Sequence, residues 1–258
     1  MTDRLSSNLH PWQEPWPLEG KVVLVVGGSG GIGLAIAREF DRQGCQVAVA
    51  ARSPERVAAA VARLSRGVGF ANCDVRSTAD VDRLFDGVLE RFGVVDLVIN
   101  SAGVGRAASG RMIPSITANL DEGEWNEVVD TNLRGGFLVA RRAAQAMIPR
   151  RQGQIVSISS ARGAKRGQPF AAGYCAAKMA LRAMFDSLAE ELRPYGIRAW
   201  SLLPDAVDTE LIAGTNLAHR GSLTAARLAE TIAELVTLPF DAQWSDPVVA
   251  PFACLEGA

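Results

Sequence analysis

Tyr174 and Lys178 are the residues of this sequence whose types and spacing most directly indicate chemistry. They stand four positions apart, so a helix would place the phenol and the ammonium on one face. A nearby cation favours the phenolate and lowers the tyrosine pKa toward neutral pH, where a general acid/base works best. The chain has only two tyrosines and three lysines. Pairs with this spacing also arise by chance on surface helices, so other residues must support the interpretation.

Hydroxyl groups precede the tyrosine in the sequence. The segment 155–160 has the pattern of a buried strand that ends in Ser159 and Ser160. A hydroxyl at the end of that strand can hold a substrate carbonyl beside Tyr174.

A glycine-rich loop follows the apolar run 21–26 and opens a predicted helix. In dinucleotide-binding proteins such a loop lets the backbone approach a pyrophosphate, which is held by N–H groups at the helix N-terminus. Two spacings of that kind overlap here: G-x-G-x-x-G at Gly28, Gly30 and Gly33, and G-x-x-x-G-x-G at Gly27, Gly31 and Gly33.

The same loop also fits a third pattern, the G-x-S-x-G nucleophile elbow of serine hydrolases, with Ser29 at its centre. A hydrolase would need a downstream acid and histidine, for which only Asp205 or Asp208 with His219 qualify. The loop follows the first predicted strand, so no earlier strand supplies the usual oxyanion-hole loop. We therefore favour the dinucleotide site. A purely structural glycine turn is the remaining alternative.

The residues that follow the second predicted strand indicate whether the nucleotide is NAD or NADP. An NAD site has Asp or Glu there to bind the ribose 2′-hydroxyl, whereas this sequence has Ala51-Arg52-Ser53. Arg52 can form a charge-assisted pair with a 2′-phosphate, helped by the Ser53 hydroxyl. The alternative is a solvated arginine followed by a helix cap. Together with the glycine loop, Arg52 predicts NADP(H) as the cofactor.

Strands and helices alternate along the chain. Such alternation predicts an α/β protein: a single-domain, Rossmann-like, doubly wound parallel sheet flanked by helices. We assign residues 1–17 to an N-terminal extension and 18–258 to an NADP-binding catalytic domain. The predicted strands are 21–26, 46–51, 68–73, 95–100, 154–158, 197–203 and 247–250, and the predicted helices are 32–43, 54–64, 78–92, 124–148, 174–193 and 224–237.

The alternation of strands and helices is interrupted by two long stretches, 104–121 and 205–223. Both follow strands, so we expect them at the carboxyl edge of the sheet, where ligands bind in such folds. Residues 104–120, 162–170 and 212–223 should form the substrate pocket.

Composition excludes several classes of protein. Apolar residues make up 48% and charged residues 21% of the 258-residue chain, and the net charge is −1. These values are ordinary for a globular enzyme and give no global attraction to nucleic acid or to a membrane. The four cysteines form no C-x-x-C pair and the two histidines are far apart, which argues against disulfides and against a metal site. Without a long apolar segment, we expect a cytoplasmic protein.

In their order along the chain, these segments and several others resemble the classical short-chain dehydrogenase/reductase family, over about residues 18–250. Any one of them is a weak signal, but the ordered set is highly specific. The matching segments are Gly27–Gly33, Asp74–Val75, Asn100–Gly103, Asn132, Ser160, Tyr174, Lys178 and Pro204–Thr209.

The resemblance implies a role for each of four catalytic residues. Tyr174 would be the general acid/base, and Ser160 would position the carbonyl or alcohol. Lys178 would hold the nicotinamide ribose and lower the tyrosine pKa. Asn132 would hold a water that links Lys178 to solvent. The reaction implied is hydride transfer between the cofactor and a small carbonyl or secondary-alcohol substrate.

The resemblance also implies the residues that bind the cofactor. Asp74 would lie on the adenine side, while the Val207 backbone and the Thr209 hydroxyl would fix the carboxamide. The full predicted set is Gly27, Ser29, Gly30, Gly31, Ile32, Gly33, Arg52, Ser53, Asp74, Val75, Asn100, Ala102, Gly103, Tyr174, Lys178, Pro204, Val207 and Thr209.

Departures from the family pattern leave some points open. The gap between Ser160 and Tyr174 is one residue longer than expected, so Ser159 is a second candidate for the serine role. Asp205 replaces a glycine and Trp200 an asparagine. The resemblance implies a homodimer or homotetramer, but the C-terminal sequence lacks the ending typical of the tetramer-forming strand. A catalytically idle NADP-binding or regulatory protein of the same fold is the alternative function.

Overall fold

The structure is a computed structural model that describes residues 14–105, 116–209 and 222–251. Within these ranges the strands, in chain order, are β1 (Val22–Val26), β2 (Gln46–Ala50), β3 (Val68–Phe70), β4 (Leu97–Asn100), β5 (Gly153–Ile158), β6 (Ile197–Pro204), β7 (Val207–Asp208), β8 (Leu223–Thr224) and β9 (Val248–Val249). The helices are α1 (Gly31–Arg42), α2 (Pro54–Val61), α3 (Thr78–Phe92), α4 (Glu122–Val129), α5 (Gly135–Met147), α6 (Ala161–Lys165), α7 (Ala172–Leu192) and α8 (Ala225–Thr237).

Seven of the strands form one parallel sheet in the order β3-β2-β1-β4-β5-β6-β9. β1 lies between its neighbours in register, with Val23 opposite Val47 on β2 and Leu97 on β4. The chain moves outward from β1 in one direction through β2 and β3, and then in the other through β4, β5 and β6. The order therefore reverses next to β1, which places the glycine loop at the crevice where such sheets bind ligands.

The strands are buried on both faces, which explains their continuous apolar sequences. On one face, Leu24, Val98 and Ile155 pack with side chains of α3, α5 and α7. On the other, Val25 and Ile99 pack with side chains of α1 and α8. The doubly wound parallel sheet predicted from the sequence is confirmed.

The predicted helix 124–148 is interrupted. α4 and α5 are joined by a π-helical turn, Asp130–Arg134, in which Thr131 and Asn132 are buried. A π-helical turn holds one extra residue and often occurs at functional sites. Asn132 lies in this turn, and its Nδ2 donates to the carbonyl of Val104, which follows β4 (2.8 Å), and to that of Val128 in α4 (2.9 Å).

The first described residues pack against the last helix. The backbone N–H of Trp16 donates to the carbonyl of Thr237 at 2.8 Å. The Trp16 indole is buried and lies 6.2 Å from the Phe240 ring. Trp200, which departs from the family pattern, belongs to the same apolar cluster and therefore serves packing. Among the described residues, no helix is both long and apolar enough to cross a membrane.

Two features of the chain were not predicted from the sequence. α6 lies between the serines and the tyrosine. β7 and β8 form a separate two-stranded parallel ribbon, in which Val207 pairs with Leu223. Both features lie at the carboxyl edge of the sheet and shape the site there.

Candidate active site

The glycine loop connects the end of β1 to α1. Gly27 has a φ of +81°, and a Cβ there would lie 2.6 Å from the backbone nitrogen of Ala102. A Cβ at Gly33 would lie 2.2 Å from the carbonyl oxygen of Gly27. Only glycine satisfies both the backbone conformation and the close approach, so the loop is built from glycine for steric reasons.

The N-terminus of α1 has no anionic group of its own. Gly30 is the N-cap and offers no side-chain cap, and the first turn contains no acidic residue. The N–H groups and the helix dipole at this end therefore suit a phosphate. The loop also lies beside the ribbon, since a Cβ at Gly31 would be 3.6 Å from the Thr209 methyl group. A dinucleotide diphosphate fits this cradle.

The end of β2 carries the predicted nucleotide-selecting residues. Arg52 is exposed and its charge contributes to a lowered pKa of Asp74, so the two side chains are neighbours. The larger cause is Arg76, whose guanidinium binds Asp74 with a shortest distance of 2.6 Å. Ser53 caps α2 by accepting the N–H of Arg56 at 3.2 Å.

Arg56 is a site residue that the sequence analysis did not identify. A Cβ at Gly30 would lie only 2.6 Å from Arg56 Nη2, so this guanidinium lies against the glycine loop. Arg56 is four residues from Arg52, and α2 turns its side chain toward the loop. The spacing of four residues between Arg52 and Arg56 was the available signal in the sequence. It does not show how α2 is oriented relative to the glycine loop.

A second wall of the site comes from the end of β4 and the π-helical turn. Asn100 Oδ1 accepts the N–H of Ala102 at 3.2 Å and thereby shapes the turn after the strand. A Cβ at Gly103 would lie 2.6 Å from Asn132 Oδ1 and 3.4 Å from Lys178 Nζ. The structure therefore brings the predicted Gly103, Asn132 and Lys178 together.

Ser160 and Tyr174 meet at the next strand end. Ser160 caps α6, since its Oγ accepts the N–H of Gly163 at 3.0 Å, and its hydroxyl lies beside the Tyr174 phenol, where hydrogen bonding acts to lower the tyrosine pKa. Gly163 lies against the tyrosine ring, where a Cβ would be 2.8 Å from Cε1. Ser159 is buried, and its hydroxyl donates to the backbone carbonyl of Lys178 at 3.1 Å. The serine beside the tyrosine is thus Ser160.

Burial dominates the electrostatics of the tyrosine and the lysine. It raises the pKa of Tyr174, and the hydrogen bond with Ser160 opposes this rise. Burial also lowers the pKa of Lys178 from 10.5 to about 8. The Lys178 ammonium donates to the carbonyl of Ile158 at 2.9 Å and lies 5.8 Å from the centre of the Tyr174 ring. The resemblance implies a lysine that lowers the tyrosine pKa, whereas in this structure the net direction is upward.

The segment after β6 closes the site opposite the serine. Pro204 ends the strand, Val207 begins the ribbon, and the Thr209 hydroxyl donates to the Val207 carbonyl at 3.3 Å. Asp205 does not extend freely into solvent, because it forms an ion pair with Arg162 of α6. Asp205 was a candidate acid of the hydrolase alternative, and this pairing does not favour that role.

Several predicted features lie outside the described residues. They include His219, the other partner of the hydrolase alternative, and most of the two long loops expected to line the substrate pocket, at 106–115 and 210–221. In the part of the pocket that is described, Phe170 is exposed and has a φ of +62°.

Comparison with known proteins agrees with this geometry. Residues 21–219 match the family described as short chain dehydrogenase. The (+)-borneol dehydrogenase 2 of Salvia officinalis is 36% identical over 204 residues, covering 78% of this chain and 70% of that protein. A 3-ketoacyl-(acyl-carrier-protein) reductase from Brucella melitensis, solved with NADH, has a TM-score of 0.83 at 26% identity, covering 92% of this chain and 99% of that one.

A metagenomic short-chain oxidoreductase, solved in complex with NADP, is 30% identical, with a TM-score of 0.76. The alignment covers 92% of this chain and 99% of that one. The family match extends from the start of β1 to beyond the ribbon strand β7 and so includes every predicted catalytic residue. This chain therefore belongs to the short chain dehydrogenase family of oxidoreductases.

Proposed function

We propose that this protein is an NADP(H)-dependent oxidoreductase that interconverts a carbonyl and a secondary alcohol, acting as a reductase in the cell. The observation that carries the proposal is the contact between Ser160 and Tyr174, with Lys178 beside them, at the same sheet edge as the glycine loop. The names of its relatives, a borneol dehydrogenase and a ketoacyl reductase, support an alcohol or ketone as substrate.

The cofactor would lie along the carboxyl edge of the sheet. The glycine loop and the N-terminus of α1 would hold its diphosphate, and the residues after β4 and β6 would hold its nicotinamide half. When bound, the nicotinamide supplies or accepts the hydride. The protein supplies the placement of the substrate and the proton.

Each catalytic side chain has a task that follows from its contacts. The phenolic oxygen of Tyr174 gives its proton to the substrate oxygen in reduction and takes it back in oxidation. Ser160 uses a lone pair to accept the Gly163 N–H. Its O–H, which favours the phenolate of Tyr174 in the free protein, would turn to donate to the substrate oxygen when a substrate binds. Lys178 and Asn132 converge behind the tyrosine, where they can return a proton from solvent and bind the ribose.

We further propose that two arginines select NADP over NAD. No acidic residue directly follows β2 to bind a 2′-hydroxyl. Arg52 follows that strand and contributes positive charge near Asp74, and the Arg56 guanidinium lies against the glycine loop at Gly30. A 2′-phosphate carries up to two negative charges and would bind both. The structural neighbours hold NADH in one case and NADP in the other, so the choice rests on these two side chains.

A homodimer in the cytoplasm is the assembly we propose. Phe137 on α5 and Met179 on α7 are exposed apolar side chains on two long helices, which supports their burial against a second copy. The three described cysteines are free and buried, as is common in a reducing compartment. Light scattering on the purified protein tests the dimer.

The activity is tested with Tyr174→Phe, which removes the transferable proton and keeps the ring. Against a panel of ketones with NADPH, kcat should fall by at least ~10²-fold, the low end for a positioned acid/base. The Kd for NADPH should stay within about twofold, since the phenol is not part of the diphosphate cradle. Tyr195→Phe is the matched control, because this second tyrosine is partly exposed and distant from the serine.

Two outcomes would contradict the proposal. Turnover by Tyr174→Phe close to that of the wild type would reject Tyr174 as the acid/base. A wild-type protein that binds NADPH but turns over none of a broad carbonyl panel would favour the idle, NADP-binding alternative.

A further inference from the structure

An ion pair in the candidate site joins α6, which begins after Ser160, to Asp205, which follows β6. Arg162 Nε binds Asp205 Oδ1 across 43 positions of sequence. The side chains are 32% and 21% exposed, so the pair is half-buried and is less screened than one fully in solvent. Its aspartate replaces the glycine that the family has after Pro204.

The arginine end is attached to the serine-bearing turn. Arg162 is the second residue of α6, and Ser160 is the N-cap of that helix. The turn closes when the Gly163 N–H donates to Ser160 Oγ (3.0 Å) and the Ala164 N–H donates to the Ser160 carbonyl (2.9 Å). A displacement of Arg162 would therefore also displace the Ser160 hydroxyl, which lies beside Tyr174.

The aspartate end is attached to the segment that would hold the nicotinamide. The Asp205 N–H donates to the Val249 carbonyl at 2.9 Å, and the next carbonyl, that of Ala206, accepts the Leu223 N–H at 2.9 Å. Three residues further on, Thr209 reaches the glycine loop at Gly31. Asp205 is thus fixed to the sheet edge and to the ribbon that approaches the cofactor cradle.

α6 depends on contacts outside itself for its position. It is only five residues long, and of these only Gly163 and Ala164 are buried. So short a helix is not stable by itself and depends on its contacts. Ser160 caps its N-terminus, and its side chains pack on α7. The ion pair joins it to the residue after β6.

From these contacts we propose that the Arg162–Asp205 pair is a positioning bridge that holds the serine-bearing turn against the segment after β6. The bridge fixes the distance between the group that holds the substrate oxygen and the segment that holds the nicotinamide. The proposal rests on the proposed oxidoreductase function for its consequence in catalysis. The mechanical connection itself does not depend on that function.

Amide hydrogen exchange tests the bridge without any cofactor or substrate. In Asp205→Asn and in Arg162→Gln, exchange of the Gly163 and Ala164 amides should become about tenfold faster, as a coupling typical of contacting charges implies. The swapped pair, Arg162→Asp with Asp205→Arg, should restore much of the protection. Asp86→Asn breaks a pair between α3 and α5 and should leave these two amides unchanged.

Kinetics then test the role in positioning. The single variants should lose about tenfold in kcat with KM and the Kd for NADPH within about twofold, and the swapped pair should recover most of the loss. A purely structural role would lower only the folded fraction. Because an unfolded fraction also lowers the apparent kcat at constant KM, kcat is calculated per folded active site, counted by NADPH titration, and a purely structural role would then leave it unchanged.

Three outcomes would overturn the inference. Unchanged amide exchange in both single variants would show that the pair holds nothing in place. Failure of the swapped pair to restore protection, while it remains folded, would show that the two charges act separately. Faster exchange with unchanged kcat would show a bridge that positions nothing. If wild-type protein reduces no carbonyl while exchange responds as expected, the proposed function fails and the bridge stands.

Discussion

Replacing the buried lysine should make the protein more stable as it becomes inactive. Lys178 is 5% exposed and its pKa is lowered by burial from 10.5 to about 8. One pKa unit is worth about 1.4 kcal/mol, so the charged lysine costs the folded state about 3 kcal/mol at pH 7. Lys178→Met keeps the length of the side chain and removes this cost. It also removes the hydrogen bond to the Ile158 carbonyl, a loss of about 1–2 kcal/mol, which leaves a net gain of about 1–2 kcal/mol.

The pH dependence of that gain has a definite sign. The unfolded chain keeps the lysine proton up to its ordinary pKa of 10.5, whereas the folded protein loses it near pH 8. Between these values the unfolded chain binds more protons, so the wild-type protein becomes more stable relative to the variant as the pH rises. The advantage of Lys178→Met should therefore be largest at pH 7 and should shrink steadily toward pH 10.

Urea unfolding followed by tryptophan fluorescence, at pH 7, 8, 9 and 9.5 without cofactor, measures this difference. Lys165→Met is the control, because that lysine is exposed on α6 and its replacement should change stability by less than about 0.5 kcal/mol. A Lys178→Met protein that is less stable than wild type at pH 7, or whose advantage does not fall with pH, would refute the assignment of a costly buried charge.

Three other sets of substitutions test neighbouring parts of the site. Ser160→Ala should reduce kcat far more than Ser159→Ala, which should instead lower stability by about 1 kcal/mol through its lost hydrogen bond; steady-state kinetics that rank them in the reverse order would move the serine role. Arg52→Ala and Arg56→Ala should each lower the preference for NADP over NAD by about tenfold, and paired Kd measurements would contradict this if either variant kept the wild-type ratio. Gly27→Ala should cost more than about 2 kcal/mol, because it adds backbone overlap to a strained φ; a thermal melt equal to wild type would argue against the close approach.

Much of the sheet could be predicted because its signals are local. The helix predicted at 78–92 matches α3 at both ends, since Ser77 caps its first turn and Gly93 ends it in the left-handed region. The apolar run stopped by Gly27 located β1 in the same way. The order of the strands was not predicted, because local signals do not show which strands pair.

The unpredicted features depend on partners distant in sequence. The ribbon has only two residues in each strand and exists because Val207 meets Leu223. The π-helical turn adds one residue within a long helical pattern, and no change of residue type marks it. Arg162 and Asp205 are each ordinary in their local sequence, and only the folded chain shows that they form a pair. The predicted catalytic residues were identified through the ordered resemblance, whereas Arg56 matches no motif.

The order of strands in the sheet has a consequence for synthesis on the ribosome. The first hundred residues supply four adjacent strands, β3-β2-β1-β4, and the later strands β5, β6 and β9 each join the growing edge in the order in which they emerge. No strand has to insert between two that are already paired. Until residues 153–158 appear, however, β4 presents an open edge whose first three residues, Leu97–Ile99, are apolar, and such edges recruit other chains. A nascent chain that stalls in this interval would have the complete glycine loop without Ser160, Tyr174 or Lys178, and we expect it to require a chaperone to remain unaggregated.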